Sequence, residues 1–355
     1  MNGSPVHRAR ELVLEFGWNS TCFQILNPGI ELWFSASGNA VVGYVLRKRV
    51  RVVAGAPVCS QDALEAVIRE WEDAAEAAGH SVCYFGAEAR LNGCLIGRPG
   101  YSTVSLGAQP SWNPQDWESI FERDRTLRAQ RSRAVNKHVV VREWSSAQAI
   151  NSPELRRCLT EWLTTRGLPP MHFLVEPETL GCLDGRRVFV AEQGGRVVGF
   201  LVLSPVPERN GWLTEQFPRA LNAPNGTVEI LMDYAIRAVA ESGAEYVTMG
   251  IVPLSLHGLP NPLPNPRWLI ALTNWVRAHG RRFYNFDGLD WFKTKFRPQQ
   301  WEPIYVISKE DRFSMRSLLA IAAAFSDRSP TSAILRGLLR ALRQEVQWAV
   351  TARRR

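Results

Sequence analysis

The sequence predicts an α+β fold built from two tandem copies of one α/β unit, followed by a helical tail. Three observations predict it. A set of landmarks occurs twice in the same order at a nearly constant interval. The chain has 355 residues, 45% of them hydrophobic, enough for about two domains that each bury a core. The last stretch, residues 311–355, holds nine Arg against three acids, and so carries +6 of the net charge of +8. The units are expected at 1–145 and 146–310, and the tail at 311–355.

The repeat begins with a hairpin. NAVVGYVL (39–46) follows the turn Ser37-Gly38, and GRVVGFLVL (195–203) follows Gln193-Gly194, so each reads as the second arm of a β-hairpin. Ala56-Pro57 then precedes DALEAVIREWEDAAEAAG, and Ala223-Pro224 precedes TVEILMDYAIRAVAESG. Both segments have the apolar spacing of a helix, and both end at a glycine suited to a C-cap, Gly79 and Gly243. Short strands follow, SVCYFG to Gly86 and YVTMG to Gly250. The landmarks at Asn39, Ala56, Gly79 and Gly86 thus have counterparts at Gly195, Ala223, Gly243 and Gly250, which are 156, 167, 164 and 164 residues later. A meander, a crossover helix and a further strand make an α+β layer arrangement.

Composition bounds the function. The six cysteines are scattered without a C-x-x-C pair, which argues against a zinc knuckle or disulfide framework and for a reducing compartment. No signal peptide is visible, and nothing approaches the roughly 18 uninterrupted apolar residues of a membrane span. A cytoplasmic protein is expected, with attraction to phosphates concentrated in the basic tail. No two histidines have ligand spacing, so no metal is expected.

The order of elements resembles the N-acetyltransferase-like (GNAT) fold in tandem. Neither VCSQDAL nor APNGTVE matches the Q/R-x-x-G-x-G/A loop that holds acetyl-CoA in that fold, so no coenzyme is expected. Four segments narrow the resemblance: LRAQRSRAVNKH (127–138), GWLTEQFPRALNAPNGT (211–227), MGIVPLS (249–255) and FYNFDGLDWFKTKFRPQQWEPIYVI (283–307). With WFSASGNAVVGYVL and VVAGAPV, they make the chain similar to the catalytic domain of the bacterial phosphatidylglycerol lysyltransferases, and closest to its soluble stand-alone relatives. The resemblance implies a tandem aminoacyltransferase that moves an amino acid from aminoacyl-tRNA to a lipid hydroxyl. Membrane-bound members carry a transmembrane flippase domain ahead of this part; it is expected to be absent here, which argues against a flipping role and against taking the phosphatidylglycerol acceptor from the resemblance alone.

That chemistry needs a proton acceptor for the nucleophile, a cation near the developing oxyanion, and an anion for the substrate's ammonium. Glu215 and Arg219 flank the approach to APNGT. The family pattern has an acidic pair there, but Gln216 stands at the second position, which moves the expected carboxylate to Glu215. Asn225 and Gly226 permit a left-handed turn and Thr227 can cap the next helix, leaving backbone donors for a substrate carbonyl or terminal adenosine; a purely structural cap is the alternative. Glu229 either faces substrate or complements the helix N-terminus with Arg219 as its partner. FKTKF places Lys293 and Lys295 on one side of an extended segment, or diverging on a helix, with one of them serving an oxyanion or a tRNA phosphate. In RDRTLRAQRSRAVNKH (123–138), Arg128, Arg131 and Lys137 belong to a basic helical face that can follow a phosphate backbone; the alternative is a solvated charged helix.

The tail reads as two helices joined at Ser329-Pro330. In the second, Ile334, Leu335, Leu338, Leu339 and Leu342 oppose Arg336, Arg340 and Arg343, the form of a helix lying on anionic lipid, or of one docked on the core or on a second copy. The expected function is aminoacyl transfer from charged tRNA to a lipid hydroxyl such as that of phosphatidylglycerol. The alternatives are a Fem-type enzyme acting on a peptide or small amine, and a non-catalytic RNA- or membrane-binding relative.

Overall fold

The computed structural model describes residues 4–165, 171–258, 265–279 and 285–326. After α1 (Pro5–Phe16), β1 (Glu31–Phe34), β2 (Val41–Arg47) and β3 (Val50–Ala54) form an antiparallel meander. Helix α2 (Leu64–Ala77) crosses over, and β4 (Ser81–Ala87) returns parallel to β3. Next come α3 (Ala89–Leu95), the long β5 (Ser102–Trp112), α4 (Trp117–Arg123) and α5 (Arg125–Asn136).

The second unit repeats the plan. β6 (Val140–Trp144), α6 (Ser146–Ala149) and α7 (Pro153–Thr164) lead to β7 (Arg187–Gln193), β8 (Arg196–Val206) and β9 (Gly211–Gln216), and β6 to β9 form an antiparallel meander. Helix α8 (Thr227–Glu241) crosses over, and β10 (Tyr246–Thr248) returns parallel to β9. The chain continues through β11 (Val252–Pro253), α9 (Arg267–His279), α10 (Phe286–Thr294), β12 (Gln300–Ser308) and α11 (Met315–Ala324). The paired landmarks are therefore present: hairpin, helix, left-handed glycine (Gly79 at φ 69°, Gly243 at φ 81°) and parallel strand. The fold is α+β, with two copies of one α/β unit.

Among the described residues the twelve strands share one sheet, in the order β1-β2-β3-β4-β12-β5-β10-β9-β8-β7-β6, with β11 on β5. The two long strands are exchanged. β12, near the end of the chain, lies against β4, while β5 lies against β10 of the second unit. Between them β5 and β12 pair over Ser102–Ser111 and Gln300–Ser308. β6 precedes residue 145 yet pairs with β7, so both the sheet and the chain connection run across the position that separates the expected units.

Helices cover both faces. Leu64, Val67, Ile68 and Trp71 of α2 pack with Val53, Val82 and Tyr84. Ile230, Leu231, Ala235, Ile236 and Val239 put one face of α8 against Phe189, Leu201 and Leu203, together with Trp117, Phe121 and Leu127 from α4 and α5. Each such buried side chain stabilises the fold by roughly 1.5–3 kcal/mol. The first helix of the tail, α11, is docked on the protein's own core through Ala320, Ile321 and Ala324. The second expected tail helix, with Arg336, Arg340 and Arg343, lies outside the described residues.

The units differ where their parallel strands end. After β3 and β4, residues 18–22 fill the gap: Asn19 Nδ2 donates to the Gly86 carbonyl at 3.2 Å, and the Ser20 N–H donates to Glu88 at 2.6 Å. Trp18, Asn19, Ser20, Thr21 and Cys22 are all buried. The first unit's strand end is closed by its own chain, which leaves the second unit's end, beyond β9 and β10, as the candidate.

Candidate functional site

Three segments meet beyond β9 and β10: the turn 223–229 entering α8, the exit of β9 at Gln216-Phe217, and the end of α10 at 291–296. Phe217 stacks edge-on against Phe292 at 6.0 Å, and Phe292 against Phe296 at 5.4 Å. FKTKF is helical through Thr294, so its lysines diverge. Asn285 caps the helix by accepting from Gly288 N–H at 2.9 Å.

Lys295 turns towards α8 and forms an ion pair with Glu229; the two side chains are only 12% and 10% exposed. Its ammonium also lies 5.2 Å from the Phe292 ring, 5.3 Å from Phe296 and 5.8 Å from Trp291, where ring quadrupoles favour a cation. The resulting pair has little access to water, where Coulomb interactions are strong. Lys293 turns the other way. Its Nζ donates to the carbonyls of Met249, Gly250 and Ile251 at 2.6, 2.9 and 3.1 Å, and burial pulls its pKa down to about 7. It grips the chain leaving β10.

Gly226 carries φ 95° and is itself the N-cap of α8. A Cβ there would lie 2.0 Å from the Gln130 carbonyl of α5, so only glycine lets the turn sit against that helix. Thr227 consequently falls at the first helical position, and instead of capping α8 its hydroxyl donates to the Pro224 carbonyl at 2.7 Å. This corrects the expected threonine cap. The Thr227 N–H is also engaged, donating to the Pro224 carbonyl at 3.2 Å, and the N–H groups that follow it in the first turn have no acceptor within the helix. Asn225 is exposed at the tip.

The basic helix α5 is fixed at both ends of its approach to this turn. Asp124 accepts from Thr126 and Leu127 N–H at 2.8 and 2.9 Å and from Arg297 Nε at 2.7 Å. Burial alone would raise that carboxyl, but Arg297 and the helix N–H groups hold it below its ordinary value. Arg131 is drawn inward to Asp233 at 3.4 Å, and Arg128 donates to the Glu122 carbonyl. Arg125, Arg133 and Lys137 are exposed, with Lys137 at the far end, where its carbonyl accepts from Gln193 Nε2 at 2.8 Å.

Glu215 lies elsewhere. Its Oε1 accepts from Arg186 Nε at 2.7 Å, and Arg186 is fully buried, with further bonds to Asn27 at 2.8 Å and the Cys182 carbonyl at 2.8 Å. The guanidinium also covers the Phe23 ring at 4.9 Å. Glu215 thus joins the second unit to residues 23–27 through Arg186 and takes no part in the Glu229–Lys295 pair. Arg219 is exposed, and no carboxylate among the described residues pairs with it; Lys295, not Arg219, takes Glu229.

A family described as phosphatidylglycerol lysyltransferase, C-terminal, matches residues 10–308. This chain belongs to that family. It is 24% identical over 291 residues to the phosphatidylglycerol lysyltransferase of Bacillus subtilis (strain 168), covering 79% of this chain and 32% of the relative. The chain therefore spans about a third of that relative's length. The C-terminal domain of a putative lysylphosphatidylglycerol synthetase from Agrobacterium fabrum superposes with a TM-score of 0.74 at 22% identity, over 91% of this chain and 97% of that one. L-PGS from Bacillus licheniformis gives 0.71 at 22% identity, over 94% and 95%. These likenesses show the fold.

Within this family member, sequence reasoning missed several partners. Asp124, Asp233 and Arg186 are the groups that decide which basic and acidic residues stay available; Asp124 has the local signal of a helix cap and Asp233 that of an i,i+4 partner to Arg237, but their long-range partners and those of Arg186 have none. His172 and Glu176 did have one, the spacing His-x-x-x-Glu; they meet at 2.7 Å, with Glu176 buried.

Proposed function

We propose that this chain is an aminoacyltransferase that takes an amino acid from aminoacyl-tRNA and esterifies a hydroxyl of phosphatidylglycerol. The observation that carries the reading is the Glu229–Lys295 pair, screened by three aromatic rings beside the first turn of α8, in a member of this family. Lysine is the first amino acid to test, because the relatives are named for it.

In the proposed step the lipid hydroxyl attacks the aminoacyl ester carbonyl directly. The carbonyl oxygen, negative in the tetrahedral intermediate, is stabilised by the Lys295 ammonium and the free N–H groups of α8's first turn. Lys295 occupies one oxygen of Glu229; the other relays the hydroxyl proton to the departing ribose oxygen, so the new ester forms as the tRNA ester breaks. Asn225 and Gly226 shape the turn that faces the substrate. Arg219 and the exposed cations of α5, with Arg128 and Lys137 at its two ends, bind the phosphates of the tRNA acceptor end. Lys293 and Glu215 hold the strand ends, and no cofactor is required.

The test is a transfer assay with charged tRNA carrying labelled amino acids and phosphatidylglycerol vesicles, followed by separation of the lipid. Label in lipid that disappears with ribonuclease and with Lys295→Ala supports the reading. Deacylation of tRNA with label in a soluble amine moves it to the Fem-type alternative, and no consumption of charged tRNA refutes catalysis.

A further inference from the structure

Several large apolar side chains are exposed on α9, α10 and the loop before them. Leu256 is 72% exposed, Trp291 69%, Trp275 53% and Ile270 43%. They belong to three segments that are tied together. Arg277 of α9 donates to Asp287 of α10 at 2.9 Å and to the Leu254 carbonyl at 3.2 Å, and Ser255 donates to Asp290 of α10 at 3.1 Å.

Helix α9 is sided about this arrangement. Leu269 is buried and Trp268 stacks over Phe313 at 6.3 Å, whereas Arg267, Ile270, Ala271, Asn274 and Trp275, three or four residues apart, share its exposed side. No acid occurs in Arg267–His279. The acids of α10 are already engaged, Asp287 by Arg277, and Asp290 by Ser255 and His257. The exposed side is therefore apolar and cationic, with no unpaired carboxylate on α9 to repel an anionic surface. Trp291, one turn before Lys295, brings this surface to the rim of the Glu229–Lys295 pair.

We propose that α9, α10 and the 254–258 loop form a docking face for an anionic phospholipid bilayer, distinct from the C-terminal tail. Indoles settle where headgroups meet acyl chains, Ile270 and Leu256 enter the apolar layer, and Arg267 meets lipid phosphate. The bilayer then presents its headgroups at the mouth of the site. The inference rests on the lipid-acceptor reading above.

Sedimentation with phosphatidylglycerol-containing vesicles, and with phosphatidylcholine vesicles, reads the binding directly, with tryptophan emission and light-scattering mass measured alongside. The wild type is expected to partition at least tenfold more strongly onto the anionic vesicles, with a blue shift in emission. Trp291→Ala and the double variant Leu256→Glu/Ile270→Glu are each expected to lose at least tenfold of that binding. The double variant keeps transfer to short-chain phosphatidylglycerol dispersed below its micelle concentration. Vesicle binding that is absent in the wild type, or unchanged in both variants, overturns the docking face. Dissociation of a dimer by the double variant with vesicle binding intact assigns the face to a second copy and also overturns it. Loss of vesicle binding with no transfer to the short-chain lipid by any form upholds the face and refutes the acceptor reading instead.

Discussion

Replacing Lys293 with Met isolates the energetic consequence of burying an ammonium among backbone carbonyls. Lys293 is 5% exposed, and its pKa falls from an ordinary 10.5 to about 7 because burial penalises the charge more than Asp290 offsets it. Between those two values the unfolded chain holds the lysine proton and the folded chain releases it. The unfolded state therefore binds more protons, and stability rises with pH across the window. From pH 7 to pH 9 the single-site linkage gives a gain of about 2 kcal/mol. Lys293→Met removes that titration, and it leaves the carbonyls of Met249, Gly250 and Ile251 without their donor, costing about 1–3 kcal/mol. Urea unfolding of both proteins at pH 7, 8 and 9 reads the difference. A wild-type slope equal to that of Lys293→Met would refute the reasoning, because other titrating groups are common to both.

Glu215→Ala is expected to destabilise by about 3–5 kcal/mol, since it strands the buried Arg186 guanidinium; thermal unfolding checks this, and an unchanged melting temperature excludes the structural role. Gly226→Ala is expected to cost roughly 3 kcal/mol from the left-handed backbone and the contact with the Gln130 carbonyl, seen as a lowered urea midpoint. Asp124→Ala removes both the α5 cap and the Arg297 partner; it should lower stability by about 1–2 kcal/mol and weaken charged-tRNA binding in a filter assay. Lys295→Met is expected to reduce aminoacyl transfer by about 100-fold with little change in vesicle binding; transfer within threefold of wild type would remove the pair from the reaction.

Much of the fold was legible because it rests on local periodicity. The helix over TVEILMDYAIRAVAESG, its C-terminal Gly243 and the strand after it follow from side-chain spacing and glycine conformation, and so do their counterparts at 62–86. The strand exchange was not legible. β12 pairs with β4 and β5 across a separation of about two hundred residues, and nothing in WEPIYVI distinguishes a strand that stays at home from one that crosses over. The site divides in the same way. Segment 211–229 and FKTKF do come together, through Glu229 and Lys295, but the extended reading of FKTKF gave way to a helix. The pairing of Glu229 with Lys295 instead of Arg219 depends on where α10 ends.

The sequence by itself determined the repeated unit, the positions of its turns and helices, and the segments that carry charge, because each depends on neighbours within a few residues. Tertiary structure decided what each charged group does. Glu215 and Arg131 have the residue types of a site, yet Arg186 and Asp233 bind them, while Lys295, beside aromatic rings of its own segment, meets Glu229 from α8. A charge acts through its distance to partners and its access to water, and both are set only when segments far apart in sequence are packed together.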